Sequence, residues 1–191
     1  MEQVNWWSAV QFANAKSVSE GLEECYAVAG CNASTWQSGR ATCSTVVFYH
    51  GDACTGYRLP SEPEWEYAYR AGTTTAFYNG PITAPGGNDP NLNLIGWYAE
   101  NSGSKTHPFG QKDPNAWGIF DIAGNVYELT NESLQYSGYT VQRGGAFGYQ
   151  ATFARAASHQ YYYYDRTSRD GGTGLRLVRT VPSQIYTPPT F

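Results

Sequence analysis

Between Gly148 and Gly174 the chain reads GYQATFARAASHQYYYYDRTSRDGGTG, and this stretch concentrates its most distinctive side chains. Tyr161, Tyr162, Tyr163 and Tyr164 are consecutive, with Tyr149, Phe153 and His159 close before them. Such residues are poor at breaking bonds but good at recognition. Tyrosine offers large, rigid, amphipathic contact area at low entropic cost, and Ser, Gly and Asp beside it supply adaptable hydrogen bonding. A strand at a sheet edge is the competing account, since it would bury alternate tyrosines and leave two rings in water.

Other residues could do chemistry but lack the company it needs. Cys25, Cys31, Cys43 and Cys54 all fall in the first third. They allow three disulfide pairings, among which sequence cannot choose. Zinc is the alternative, with His50 as an extra ligand, although the spacings miss the short pairs of structural zinc sites. Disulfides would place the protein outside the cytoplasm, extracellular or at the cell surface. Glu62, Glu64 and Glu66 resemble a carboxylate cluster, but at a helix start they suit the macrodipole and solvated capping. His107 precedes Pro108 with no acid–base partner, which suggests a structural role. Three histidines are a poor supply for a transition-metal site. Asn32-Ala33-Ser34 and Asn131-Glu132-Ser133 fit the glycosylation acceptor pattern, which matters only after secretion by a eukaryote.

The elements that must hold these residues are partly legible. Asn5 is placed to cap a helix whose apolar face carries Ala9, Val10, Phe12 and Ala13 and which ends near Gly21. Residues 22–56 read as a stapled loop with a short strand at Thr45–Tyr49. Ser61 and Glu64 have capping-box spacing, Pro63 suits a first turn, Trp65, Ala68 and Tyr69 share a face, and Gly72 is the expected stop. Residues 73–116 show no periodicity and read as one long irregular stretch. Short strands are expected around Gly118–Ile122, Tyr139–Arg143 and Gly174–Arg179. This is an α+β chain of two helices, short antiparallel strands and much irregular loop.

Composition narrows the function. Aromatics reach 16% and charged residues only 15%, so the chain has a core to bury and is not disordered. A net charge of −4 without a basic stripe argues against nucleic acid as partner. No apolar run is long enough to insert into a membrane, and no signal-peptide pattern opens the chain.

Five segments in one order carry a resemblance. VNWWSAVQFAN, GYRLPSEPEWEYAYRAG, HPFGQKDPNAWGIFDIAGNVYELT, VQRGGAF and GLRLVRT span Val4 to Thr180. The chain resembles the formylglycine-generating enzyme (sulfatase-modifying factor) family. The resemblance implies that family's variant of the C-type lectin-like fold, in one domain over 1–180 followed by a tail at 181–191. Family members carry an N-terminal segment before the first helix that is missing here, so the exposed edge is expected to be covered.

The resemblance also implies a structural calcium ion, with side-chain oxygens from Asp121 and Glu128 and backbone carbonyls from Gly124 and Val126. Turn-capping by the two acids is the alternative. The family's oxidases use two cysteines after the RGG turn to bind copper. Those places hold Tyr149 and Ala154, so neither copper nor the family's catalysis is expected. Relatives include the variable proteins of diversity-generating retroelements, in which adenine-directed mutation rewrites codons near the C-terminus. Tyr149, Thr152, Phe153, Ser158, His159, Tyr162 and Asp165 all belong to the residue set such mutation produces. The expectation is a non-enzymatic ligand-binding protein whose face comprises Tyr149, Thr152, Phe153, Ser158, His159, Tyr161, Tyr162, Tyr163, Tyr164 and Asp165. Its partner would be a macromolecule, protein or glycan. The alternatives are an accessory or metal-dependent enzyme domain of the same superfamily and a structural accessory subunit.

Overall fold

A computed structural model describes residues 3–32, 36–131, 140–162 and 166–181, with Thr140, Tyr161 and Tyr162 described by backbone alone. The first helix, α1, spans Trp6–Ser19, and the Asn5 side chain accepts the Ser8 N–H at 2.8 Å as its cap. It is buried on more than one side. Trp6, Ala9, Val10 and Ala13 enter a core, while Phe12 is half-buried against Trp36. Its buried polar residues clamp the loops around it. Asn14 exchanges hydrogen bonds with the Tyr26 backbone, and the Ser8 and Ser17 hydroxyls accept the N–H groups of Ala41 and Tyr57.

Strands β1 (Tyr26–Ala29) and β2 (Thr45–Phe48) form an antiparallel pair beside α1. Two nested disulfides hold this region, Cys25–Cys54 and Cys31–Cys43, which answers the choice between disulfides and zinc. β1 was not foreseen in the stapled loop, because Gly, Ser and Thr around it mask a four-residue strand.

Helix α2 spans Glu62–Arg70 and begins with the expected capping box of Ser61 and Glu64. It stops at the expected Gly72, which at φ 93° follows the C-cap Ala71, itself in the left-handed region at φ 44°. Within 73–116 lies a third helix, α3 (Pro90–Ile95), which corrects the expectation of two. Asp89 caps it by accepting the N–H groups of Asn91 and Leu92 at 3.0 Å each, and Pro90 occupies the first position. Six residues are too few to show a helical period, so only the Asp-Pro pair announced it.

The remaining strands are short: β3 (Gly96–Trp97), β4 (Ala123–Gly124), β5 (Tyr127–Leu129), β6 (Thr140–Arg143), β7 (His159–Tyr162) and β8 (Thr173–Leu175). Four of them form a sheet in the order β7-β6-β5-β8. Pairing is not uniformly antiparallel as expected, because β3 runs parallel to β4 and β5 parallel to β8. A long crossover between partners permits this, whereas a hairpin would not. No strand occupies Gly118–Ile122, and the last expected strand ends at Leu175, with an isolated bridge from Arg58 to Val178 beyond it. Tyr139 and residues 182–191 lie outside the described residues.

Side chains gather in two cores. One joins α1, β1, the Cys25–Cys54 disulfide and Leu59. The other joins Trp65 and Tyr69 of α2, Leu92 and Ile95 of α3, Ile122, and three alanines, Ala151, Ala154 and Ala156. Beside α2 lies Arg58, 1% exposed, which pairs with both Glu64 oxygens at 2.6 Å. Burial works against the charges of both partners, but their pairing outweighs it: Arg58 is held above its ordinary range and Glu64 below it.

Candidate binding face

The stretch after the RGG turn is placed by glycine geometry. Gly144 and Gly145 adopt φ of 94° and 77°. A Cβ on Gly144 would meet Ile122 O and Trp65 Cζ2 at 3.1 Å, and one on Gly145 would meet Ala154 Cα and N at 3.0 Å. The turn therefore presses the chain onto α2 and onto its own continuation. Arg143, just before it, is 2% exposed, donates to Glu66 at 2.6 Å and to Ala156 O at 3.0 Å, and lies over the Trp65 ring.

Beyond the turn, buried alanines alternate with displayed side chains. Ala146, Ala151, Ala154 and Ala156 are at most 1% exposed. Between them Tyr149 is 36% exposed and Thr152 and Phe153 are half-buried, and Ser158, just beyond Ala156, is half-buried too. Tyr149 packs edge-on against Tyr127 and Phe153, with ring centroids 5.1 and 5.6 Å away. Its backbone is tied at both ends, the N–H donating to Ala146 O and the carbonyl accepting from Ala99 N. Thr152 donates through its hydroxyl to Pro85 O at 2.8 Å, and Tyr69 donates from α2 to Ala154 O at 2.7 Å.

The structure thus brings Tyr149, Phe153 and Thr152 together on a held backbone. His159 is exposed but lies elsewhere, in the wall of a groove beside α2. Tyr161 and Tyr162 sit on β7 opposite Val141 and Thr140. Tyr163, Tyr164 and Asp165 lie outside the described residues, and so does the question of which tyrosine rings are buried. Further on, Arg166 stacks over Trp6 and Trp7, and Arg169 donates to Ser38 O and Gln3, so this end of the stretch grips α1.

Asp121, Val126 and Glu128 line one cavity of about 600 Å³. The Asp121 carboxylate accepts the Gly110 N–H at 2.8 Å. Glu128 accepts from Trp65 Nε1 at 2.7 Å and from Arg176 at 2.8 and 2.9 Å. A further contact from Arg176 Nε at 3.2 Å brings the total to the roughly four that a carboxylate can accept. Gly124, at φ 74°, belongs to the same turn and donates its N–H to Gly144 O at 2.7 Å. His107 is structural as expected, stacked 3.7 Å from Trp97 with Nε2 2.8 Å from Ser102 O.

The acids of α2 do more than cap. Glu64 meets Arg58, and Glu66 meets both Arg143 and Arg70. Sequence spacing revealed the helix start but not the arginines that distant segments deliver to it.

Residues 1–181 match the family described as the sulfatase-modifying factor enzyme 1-like domain. The chain belongs to this family. It is 26% identical over 202 aligned residues to the chaperone protein LppX of Paenibacillus barcinonensis, covering 94% of this chain and 69% of LppX. It is 30% identical over 148 residues to the inactive C-alpha-formylglycine-generating enzyme 2 of Bos taurus, covering 71% of this chain but only 44% of that protein. Among solved structures it is similar to Treponema denticola variable protein 1, with a TM-score of 0.71 and 28% identity, covering 93% of this chain and 69% of that one. Tyr149 is half-exposed and Ala154 is buried. The four cysteines of the chain are joined in two disulfides packed at or near the other core.

Proposed function

We propose that this chain is a non-enzymatic binding protein that displays a variable, tyrosine-rich face from residues 148–173 on a C-type lectin-like scaffold, as a diversity-generating retroelement variable protein does. The alternation of buried alanines with displayed Tyr149, Thr152, Phe153 and Ser158 carries this reading. Methyl-sized anchors fix the backbone, and the residues between them can change without entering the core. Likeness to a variable protein and to an inactive formylglycine-generating enzyme supports it. The partner is a macromolecular surface, protein or glycan, met by aromatic anchors rather than by charge. Disulfides favour an extracellular setting.

The reading requires tolerance. Replacing five displayed residues at once (Tyr149→Ser, Thr152→Ala, Phe153→Ser, Ser158→Thr, His159→Asp) should cost about 2 kcal/mol in total and lower Tm by roughly 4–8 °C. The single anchor change Ala154→Asp, which buries a charge, should cost more than all five together. Thermal melts decide it: a five-fold variant that fails to fold would make these residues structural and end the proposal.

Calcium belongs to the scaffold in this account. Asp121 and Glu128, with the carbonyls of Gly124 and Val126, would hold it and tie a turn in which Asp121, Gly124 and Asn125 all have positive φ. Adding calcium at a hundredfold excess over its Kd should then stabilise the protein by about 2.7 kcal/mol, read as a higher Tm that chelator reverses. Equal melts in calcium and chelator would count against the ion.

A further inference from the structure

A groove of about 560 Å³ lies between α2 and β7. Its walls include Glu62, Glu66, Tyr67, Arg70, Arg143 and His159, of which only His159 belongs to the displayed face. Two carboxylates and two guanidiniums cancel, and most are already joined. Glu66 binds Arg143 at 2.6 Å and Arg70 at 2.7 and 2.9 Å. Arg143 is buried, yet among the described residues its Nε finds no hydrogen-bond partner. A groove balanced in this way favours neither an anion nor a cation. It favours a neutral ligand carrying many hydroxyls, which can donate to carboxylate and accept from guanidinium at once.

Tyr67, in the groove wall, has an aromatic neighbour in Trp117. Tyr67 is 69% exposed and Trp117 48% exposed, and their rings lie 4.8 Å apart. Neither belongs to the two cores. Their rings, tilted at 59°, stand in water and offer aromatic surface next to the charged groups of the groove. A pyranose ring matches both parts, because its C–H face packs on an aromatic plane while its edge presents hydroxyls. We propose that this groove binds a neutral hexopyranose unit of a glycan, at a site separate from the Tyr149–Phe153 cluster.

The test is an array of neutral hexose- and N-acetylhexosamine-terminated oligosaccharides probed with the whole chain, followed by titration with the best-retained sugar. At least one neutral glycan should bind. Tyr67→Ala and Trp117→Ala, at exposed positions that leave Tm unchanged, should each weaken it roughly tenfold. The pair Tyr149→Ala with Phe153→Ala should leave sugar binding intact, whatever it does to a macromolecular partner. An array that retains nothing, or retains only acidic glycans, overturns the proposal. So does sugar binding that survives both Tyr67→Ala and Trp117→Ala or is lost with the Tyr149–Phe153 pair. A peptide, retained on a parallel array and released by Tyr67→Ala, would assign the groove to protein instead.

Discussion

Trp65→Ala should lower stability by about 3–5 kcal/mol and Tm by roughly 6–20 °C. Trp65 is 1% exposed and joins three elements. It stacks on Tyr69 within α2, donates to Glu128 of β5 at 2.7 Å, and lies under Arg143 of β6. Its ring edge is also the surface against which Gly144 turns. Truncation would leave a cavity, strip one donor from a buried carboxylate and loosen the floor of the RGG turn together. Trp65→Phe should recover most of the packing but not the hydrogen bond, so it should fall between the two. Urea unfolding of the three proteins would show the order. Equal stability of Trp65→Ala and the parent would mean that the turn does not rest on α2.

Gly145→Ala should cost about 2–4 kcal/mol although it adds one methyl group. The residue sits at φ 77°, where an L side chain is strained, and the new Cβ would meet Ala154 backbone at 3.0 Å. Relief requires moving Ala154, and with it the short helical turn Ala151–Ala154 that presents Thr152 and Phe153. The consequence is specific. Gly145→Ala should weaken binding by the face even though Gly145 contacts no partner, whereas Gly148→Ala, which has open space, should be nearly silent. Melts and binding measured on both variants would check it. A silent Gly145→Ala would show that the face is not positioned by this turn.

What was legible in the sequence follows a physical pattern. Asn5 and the Ser61–Glu64 box were readable because a helix cap is a local event. Helix α3 was missed for want of length, though Asp89-Pro90 was the available signal. Arg58, Arg143 and Arg176 gave no signal, because their partners Glu64, Glu66 and Glu128 come together only when the chain folds. The disulfide pairing was closed to sequence for the same reason. Within the face, rings drew attention as surface, and the alanines did not draw it as anchors. Yet Ala151, Ala154 and Ala156, unremarkable as letters, hold the backbone that displays Tyr149 and Phe153. His159 stands apart from Tyr149, since nearness in sequence grouped the two while the fold sets His159 in the groove beside α2.

The central claim, that residues 148–173 are a varied binding face on a fixed scaffold, is tested most directly by sequencing the 3′ end of the gene across a population of the source organism. The account predicts substitutions at Tyr149, Thr152, Phe153, Ser158, His159 and the tyrosine run, with Gly144, Gly145, Ala151, Ala154 and Ala156 constant. An invariant 3′ end, or changes scattered equally over anchors and displayed positions, would contradict it.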